Sequence, residues 1–573
     1  MPKRINISLI ILLLILLIAG FFRLWKLNEI PPGLYPDVAM NGIDALDTLK
    51  TDNFKVFYRE NNGREGLFIW LIALSFKIFG PSIWAIKIVS AVTGILTIVG
   101  LYLLTNELLK DLEFKYWNLF RIWNLEFGIY KNEVIALLAS FLLATSFWHT
   151  NFSRIGFRVI MVPFILVFSF YFLLKGLKEK KLWCFIIAGI IFGLGFYTYT
   201  GFRFAVSLLP FVFLSFYFLN RKEQSQRKFM FSVFCFLLIV FAVCLPLIIY
   251  YLKYPADFTG RAIQITVFSK HNPLWEFTKS LFVHLAIFNI YGDHNWRHNL
   301  PSQPMLPWPV GILFVFGIIY SLIKIIKLSH VSLKSLLLKE KPTFNENHSL
   351  SSASPAEALA KEGSLFSIFC FLLAWFFVML LPGVLTAEGI PHALRILGVV
   401  PVVYIFAAIG GIKIYSWFYR NTLRKKLLFL AVSLFLLTVG LIQFNEYFVR
   451  WGDTKEIKDA FSTNFVEIGK YLNTLPDDIK KYVIVNQDGV PVPYPDGLPV
   501  AAQTPIFIER TKFGEARAEY LRPKDISQIK IEGKTIIIPM QSDPKLITAI
   551  LEKFPLGILT KENGFFIYQI NPL

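Results

Sequence analysis

The chain has 573 residues, of which 55% are hydrophobic and 16% aromatic, and its mean hydropathy is +0.55. No single soluble core hides that much apolar surface, so composition excludes an ordinary soluble protein and places the chain in a bilayer. A formal net charge of +19 would suit nucleic acid, but the Lys and Arg residues form short clusters between apolar runs of about 20 residues, the pattern of cytoplasmic loops, and we exclude nucleic acid as a partner.

The first predicted element is an uncleaved span from Ile7 to about Trp25, preceded by Lys3 and Arg4 and lacking a small-residue cleavage site. An outside stretch, residues 26–80, follows. Its Glu65–Gly80 part is apolar but short and carries Lys77, so it is expected to be interfacial or re-entrant rather than spanning. Spans are predicted near Ser82–Leu108 and Val134–Asn151, separated by Lys110, Lys115, Arg121 and Lys131 inside. From Arg158 the chain crosses inward to Lys175–Lys181, outward to Tyr199, inward to Arg221–Lys228 and outward to Tyr251. A long outside loop covers residues 253–305, and a Ser- and Lys-containing segment at 329–363 reads as a flexible cytoplasmic insert. Spans near Phe366–Leu385, Leu394–Tyr415 and Leu427–Phe444 bring the total to about eleven, with every basic cluster inside.

An odd number of crossings puts the C-terminus outside. Residues 1–444 are thus expected to form the membrane domain and 445–573 a small soluble α/β domain, with strands at Tyr482–Asn486, Thr535–Pro539 and Phe565–Ile570 and a helix at Lys545–Phe554. Cys184, Cys235, Cys244 and Cys370 all fall within apolar runs and suggest neither disulfides nor a zinc site.

Charged residues at membrane depth are expensive and usually functional, so the polar groups at outer span ends matter most. The first loop holds Asp37, Glu60, Arg64 and Glu65; Arg154 and Arg158 follow, then Tyr199 and Arg203. The long loop adds Asp293, Arg297, His298 and Asn299, and a later span end adds His392 and Arg395. Together they would make one outward-facing pocket, in which a carboxylate takes a proton from a hydroxyl and guanidinium forks hold a phosphate. The competing readings are headgroup anchoring for Arg154, Arg158 and Arg203 and helix capping for Asp37. No cofactor is required by the sequence. A divalent metal is compatible with Asp293, His294 and His298, whose spacing is loose.

Five segments carry a family resemblance: Pro32–Asp37 with Asn41–Gly42, Gly63–Phe68, Trp148–His149 with Ser153–Arg158, Asn295–Asn299 and Pro391–Arg395. Through them the chain resembles the GT-C type membrane glycosyltransferases, in particular relatives of the dolichyl-phosphate-mannose protein mannosyltransferases and the aminoarabinose lipid A transferases, over roughly Leu24–Gly411. The resemblance implies an α-helical polytopic GT-C-like fold and inverting transfer of a sugar from a polyprenyl-phosphate donor to an extracytoplasmic protein, lipid or glycan acceptor. It also implies a plasma or inner-membrane location with the active site outside. The family's first-loop acidic motif, usually Asp-Glu, puts the catalytic base at Asp37; Val38 stands where the second acid would be, and Gly66 where relatives commonly have Pro. Glu60, Arg64, Glu65, Arg154, Arg158, Tyr199, Arg203, Asp293, Arg297, His298, Asn299, His392 and Arg395 are the expected substrate contacts. The rival is a transporter or flippase of lipid-linked sugars, which should show an internal repeat and broken helices with polar groups at mid-membrane. Neither is evident in the sequence.

Overall fold

The computed structural model describes residues 7–110, 131–219, 223–338, 355–421, 425–493 and 497–571. Helix α1 (Ile7–Leu24) leads into α2 (Pro36–Thr51), a short antiparallel hairpin of β1 (Phe57–Tyr58) and β2 (Arg64–Glu65), and α3 (Leu67–Phe79). Helix α4 (Ile83–Leu109) starts at Ser82, whose side chain accepts a hydrogen bond from the Ala85 amide and caps the helix. Next come α5 (Lys131–Thr145), α6 (Phe147–Phe152), α7 (Met161–Glu179), α8 (Leu182–Gly195), α9 (Leu209–Leu219) and α10 (Glu223–Lys253). Helices α11 (Pro255–Ile265) and α12 (Pro273–Ala286) precede three long ones, α13 (Trp308–Leu338), α14 (Pro355–Val384) and α15 (Val400–Asn421), and then α16 (Lys425–Phe444).

Nine helices among the described residues are long and apolar enough to cross a membrane, from Ile7–Leu24 to Lys425–Trp451. The chain is a multi-pass membrane protein. The other two expected crossings correspond to shorter apolar helices, Asn132–Thr145 and Leu182–Gly195. The expected Val134–Asn151 span is broken at Ser146, which caps α6 through the His149 amide and meets the Tyr404 hydroxyl at 2.5 Å. Leu67–Phe79 is a helix of 13 residues, shorter than a span.

Three expected segments carry more helix than the sequence pattern shows. The long loop at 253–305 is partly helical, because Pro255 and Pro273 each open a helix, the second capped by Asn272. The segment read as a flexible insert is helical over 329–338 and 355–363; its remainder, 339–354, and the basic segment at 111–130 lie outside the described residues. The last span continues past Phe444 as a wider helical turn, Asn445–Trp451, where Trp451 is buried and donates to the carbonyls of Trp296 and Asn299.

Beyond it lie α17 (Lys455–Ala460), α18 (Thr463–Leu472), α19 (Gln503–Phe513) and α20 (Pro544–Lys553), around a five-stranded sheet. Its strands are β3 (Lys480–Ile484), β6 (Glu519–Leu521), β7 (Thr535–Pro539), β8 (Ile558–Glu562) and β9 (Phe565–Ile570), in the order β6-β3-β7-β9-β8; the two strands β4 (Pro491–Val492) and β5 (Leu498–Pro499) pair separately. The β6-β3-β7 part is parallel and β9 and β8 are antiparallel, so this is a small α/β unit as expected. Two apolar clusters cover its faces, one around Val483, Ile536 and Ile538, the other around Ile484, Ile537 and Ile550.

The α/β unit packs on α2. Gly42 is needed there, since a Cβ at this position would fall 2.6 Å from the Phe507 ring of α19 and 2.8 Å from Ile86 of α4. Thr504 donates to the Leu34 carbonyl at 3.1 Å, and Arg510 pairs with Asp47. Helix α2 is therefore held between a membrane helix and the C-terminal unit.

Candidate active site

Asp37 lies in the first turn of α2, after Pro36, where the helix dipole favours a carboxylate. The helix cap is Tyr35, with no side-chain capping bond. Asp37 instead accepts a hydrogen bond from Asn61 Nδ2 at 2.9 Å on Oδ1, and among the described residues Asn61 is its one hydrogen-bond partner. Half-buried, with its other oxygen available, this carboxylate has the accessibility a general base needs.

Two contacts set its surroundings. Gly156, at φ +76°, approaches so closely that a Cβ would meet Val38 Cγ1 at 2.8 Å, which seats the Ser153–Arg158 segment against the start of α2. The Phe157 ring then lies 5.9 Å from Tyr35 and 6.5 Å from His298. From the other side the Arg297 guanidinium stacks over Tyr35 at 4.0 Å. Burial pushes the Tyr35 hydroxyl's pKa up, and the Asp37 charge adds to the shift while Arg297 opposes it. Asp37, Tyr35, Phe157, Arg297 and His298 thus share one neighbourhood.

A second group flanks it. Glu65 is buried, with Oε2 3.3 Å from Arg158 and Oε1 3.0 Å from the Thr200 hydroxyl and 4.0 Å from Arg203. Arg158 lies over Tyr199 at 5.7 Å, and Arg203 stacks on Phe258 at 4.3 Å while donating to Tyr251 and the Phe258 carbonyl. Two guanidinium groups around one carboxylate leave an excess positive charge suited to an anion.

The third group joins two loops. Asp293 accepts from the amides of Asn295 and Ala393 and from His298 Nδ1, each at 2.8 Å. The His298 and His392 rings are 4.8 Å apart. The His392 amide donates to His284 Nε2, which is neutral because burial lowers its pKa to about 4. Burial also holds His392 well below the ordinary imidazole value, helped by His298 and Arg395. His294, expected beside Asp293, instead pairs with Ser302 in an exposed contact; His392 takes its place.

Other expected contacts are occupied internally. Arg154 is fully buried and donates to the carbonyls of Phe22, Trp25, Lys26 and Ile30, closing the end of the first span. Arg64 pairs with Asp44 at 2.5 Å and with Asn41 at 2.8 Å, tying the hairpin to α2, and Glu60 contributes its carbonyl to Arg64. Arg395 is held by Thr386 and the Glu388 carbonyl and carboxylate. Asn299 bonds the carbonyls of Asp293 and Gln303, a loop-shaping role.

Sequence reasoning passed over Arg23 and Lys87 and quoted His149 only within a resemblance segment; all three are buried. Arg23 donates to the Leu143 and Ala144 carbonyls and meets His149 Nδ1 at 2.8 Å, and Lys87 donates to the Pro31 carbonyl at 2.8 Å. Their signal was a lone charge inside an apolar run.

The architecture is a multi-pass helical fold similar to that of ArnT, and the expected resemblance holds at the level of fold. The crystal structure of ArnT from Cupriavidus metallidurans bound to undecaprenyl phosphate is similar over 99% of both chains, with a TM-score of 0.50 and 11% identity. The apo ArnT structure from the same organism covers 99% of both chains at a TM-score of 0.42 and 10% identity. The family model described as dolichyl-phosphate-mannose-protein mannosyltransferase matches residues 67–113, the stretch that begins with α3 and α4. No curated protein matches the sequence.

Proposed function

We propose that the chain is a membrane glycosyltransferase that moves a sugar from a polyprenyl-phosphate donor to an extracytoplasmic acceptor by inverting displacement. The observation that carries this reading is Asp37. It is an accessible carboxylate with a single hydrogen bond among the described residues, at a helix N-terminus, and its neighbour Tyr35 is capped by Arg297. In this reading Asp37 takes the proton of the acceptor hydroxyl as the oxygen attacks the anomeric carbon. The bond to the phosphate breaks on the opposite face, and polyprenyl phosphate leaves with the electron pair.

Arg297, Arg158 and Arg203 are the guanidinium groups proposed to hold that phosphate, because each is partly exposed, whereas Arg154, Arg64 and Arg395 are buried among their own partners. The ArnT structure with undecaprenyl phosphate shows that a protein of this fold holds such a lipid. The outward face of the plasma or inner membrane is the proposed site of reaction. A transporter is the weaker reading, because the polar groups gather at loops and helix ends, where Asn151 donates to the Arg297 carbonyl and the Ala393 amide to Asp293.

The test is Asp37→Asn. Cells lacking the protein should lose one defined sugar from an envelope glycan, lipid or glycoprotein by mass analysis, and the variant should restore it at a rate lower by about 10²- to 10⁴-fold. Undecaprenyl phosphate binding by the purified variant should be unchanged. Full restoration by Asp37→Asn would remove Asp37 as base and point to Glu60.

A further inference from the structure

Asp293, His298 and His392 present one ligand atom each, and these atoms lie within 4.8 Å of one another. We propose that they bind one divalent transition-metal ion of the zinc class. A four-coordinate zinc with bonds of about 2.0–2.2 Å sets neighbouring ligand atoms about 3.3 Å apart. Asp293 Oδ2 and His298 Nδ1, at 2.8 Å, need separate only by a few tenths of an ångström to admit it, with the Nδ1 proton that Asp293 now accepts released to solvent.

A second observation points the same way. His392 Nδ1 is buried and has no hydrogen-bond partner, although buried polar atoms are almost always paired. A metal ion supplies the missing partner. The carboxylate is already oriented from behind, by the Asn295 amide on Oδ1 and the Ala393 amide on Oδ2. One carboxylate and two imidazoles are a zinc-type donor set with a fourth position open to an oxygen ligand. Nearby positive charge does not forbid the ion: Arg395 is answered by Glu388 at 3.5 Å, and Arg297 is stacked on Tyr35. The ion would fasten the loop at 293–299 to the loop at 391–395, which now meet through the Ala393 amide.

The experiment uses the full chain, purified in detergent, stripped with chelator and then titrated with Zn²⁺ or with Co²⁺ as a visible-absorption probe. Wild type should bind about one equivalent and show the d–d bands of four-coordinate cobalt. His298→Gln and Asp293→Asn should lose the site. His392→Gln should lose it too, and because His392 Nδ1 makes no hydrogen bond, that variant should keep the wild-type elution profile on size exclusion. Less than about a tenth of an equivalent bound by wild type, or full binding by a folded His392→Gln, overturns the proposal. The readout is metal content, so it stands or falls independently of the transferase reading.

Discussion

Arg154 is the residue at which the sequence pattern and the structure assign different work, and Arg154→Lys separates them. Its guanidinium makes five hydrogen bonds, of 2.7–3.0 Å, to four carbonyls at the end of the first span and the turn after it. It also lies 5.2 Å from the Phe448 ring and 5.7 Å from the Tyr447 ring. Lysine keeps the charge but has three donors on one point, so at least one of the four buried carbonyls is left without a partner and the others are met with poorer geometry. An orphaned buried acceptor costs about 1–3 kcal/mol, and the lost charge-assisted bonds bring the total to roughly 3–5 kcal/mol. Arg154→Ala should cost more and reduce the folded yield outright. The assay is the thermal aggregation midpoint of detergent-purified protein by size exclusion, beside undecaprenyl phosphate binding to whatever remains folded. Arg154→Lys should lower the midpoint and leave the affinity of the folded fraction unchanged. A variant as stable as wild type but weakened in lipid binding would refute the structural role and return Arg154 to the donor pocket.

Phe507→Ala should loosen α2 from the C-terminal unit, costing about 3–5 kcal/mol for a fully buried ring, and protease cutting in the segment joining the last span to that unit should speed up. Glu509 is buried and accepts bonds from the Arg517 and Ala518 amides and the Tyr520 hydroxyl, yet burial raises its pKa. The folded unit therefore keeps this proton to higher pH than the unfolded chain, so stability falls as pH rises from the ordinary glutamate range through the raised value. Glu509→Gln should flatten that slope in denaturation measured at several pH values. Single cysteines near Asn299, at exposed Gln303, and at Asn473 should react with an impermeant thiol reagent in intact cells, and one at Arg227 should be shielded; labelling at Arg227 would invert the proposed orientation.

The sequence made the helices legible because spanning is a matter of length and apolarity, and Lys and Arg clusters mark the connections. Thr535–Pro539 and Phe565–Ile570 were readable as strands for a similar reason, since they are short β-branched and aromatic runs bounded by turn residues. The helices within 253–305 were also signalled, by Pro255 and by Asn272-Pro273, but a search for spans passes over helices of 11 and 14 residues. What sequence could not do was sort the arginines. Whether a guanidinium faces a ligand or closes a backbone depends on which carbonyls surround it, and those of Arg154 come from more than 120 residues away. The same holds for His392, which displaces His294 beside Asp293 because two loops some 100 residues apart are brought together.

The C-terminal unit has a structural consequence for Asp37 whatever else it binds. Leu34, three residues before Asp37, gives its carbonyl to Thr504. Gly33, at φ +75°, lies so near the Phe461 carbonyl oxygen that a Cβ would fall 2.4 Å from it. Further along α2, Gly42 meets Phe507 and Asp47 meets Arg510. From the membrane side Gly156 and Ile86 close on Val38 and Gly42. A helix of 16 residues gripped at its start, middle and end by two bodies has little freedom to tilt. The role of base proposed for Asp37 requires its carboxylate to be held to within a fraction of an ångström, and a first loop on its own would not supply that. The last 120 or so residues of the chain therefore help to set the position of its thirty-seventh.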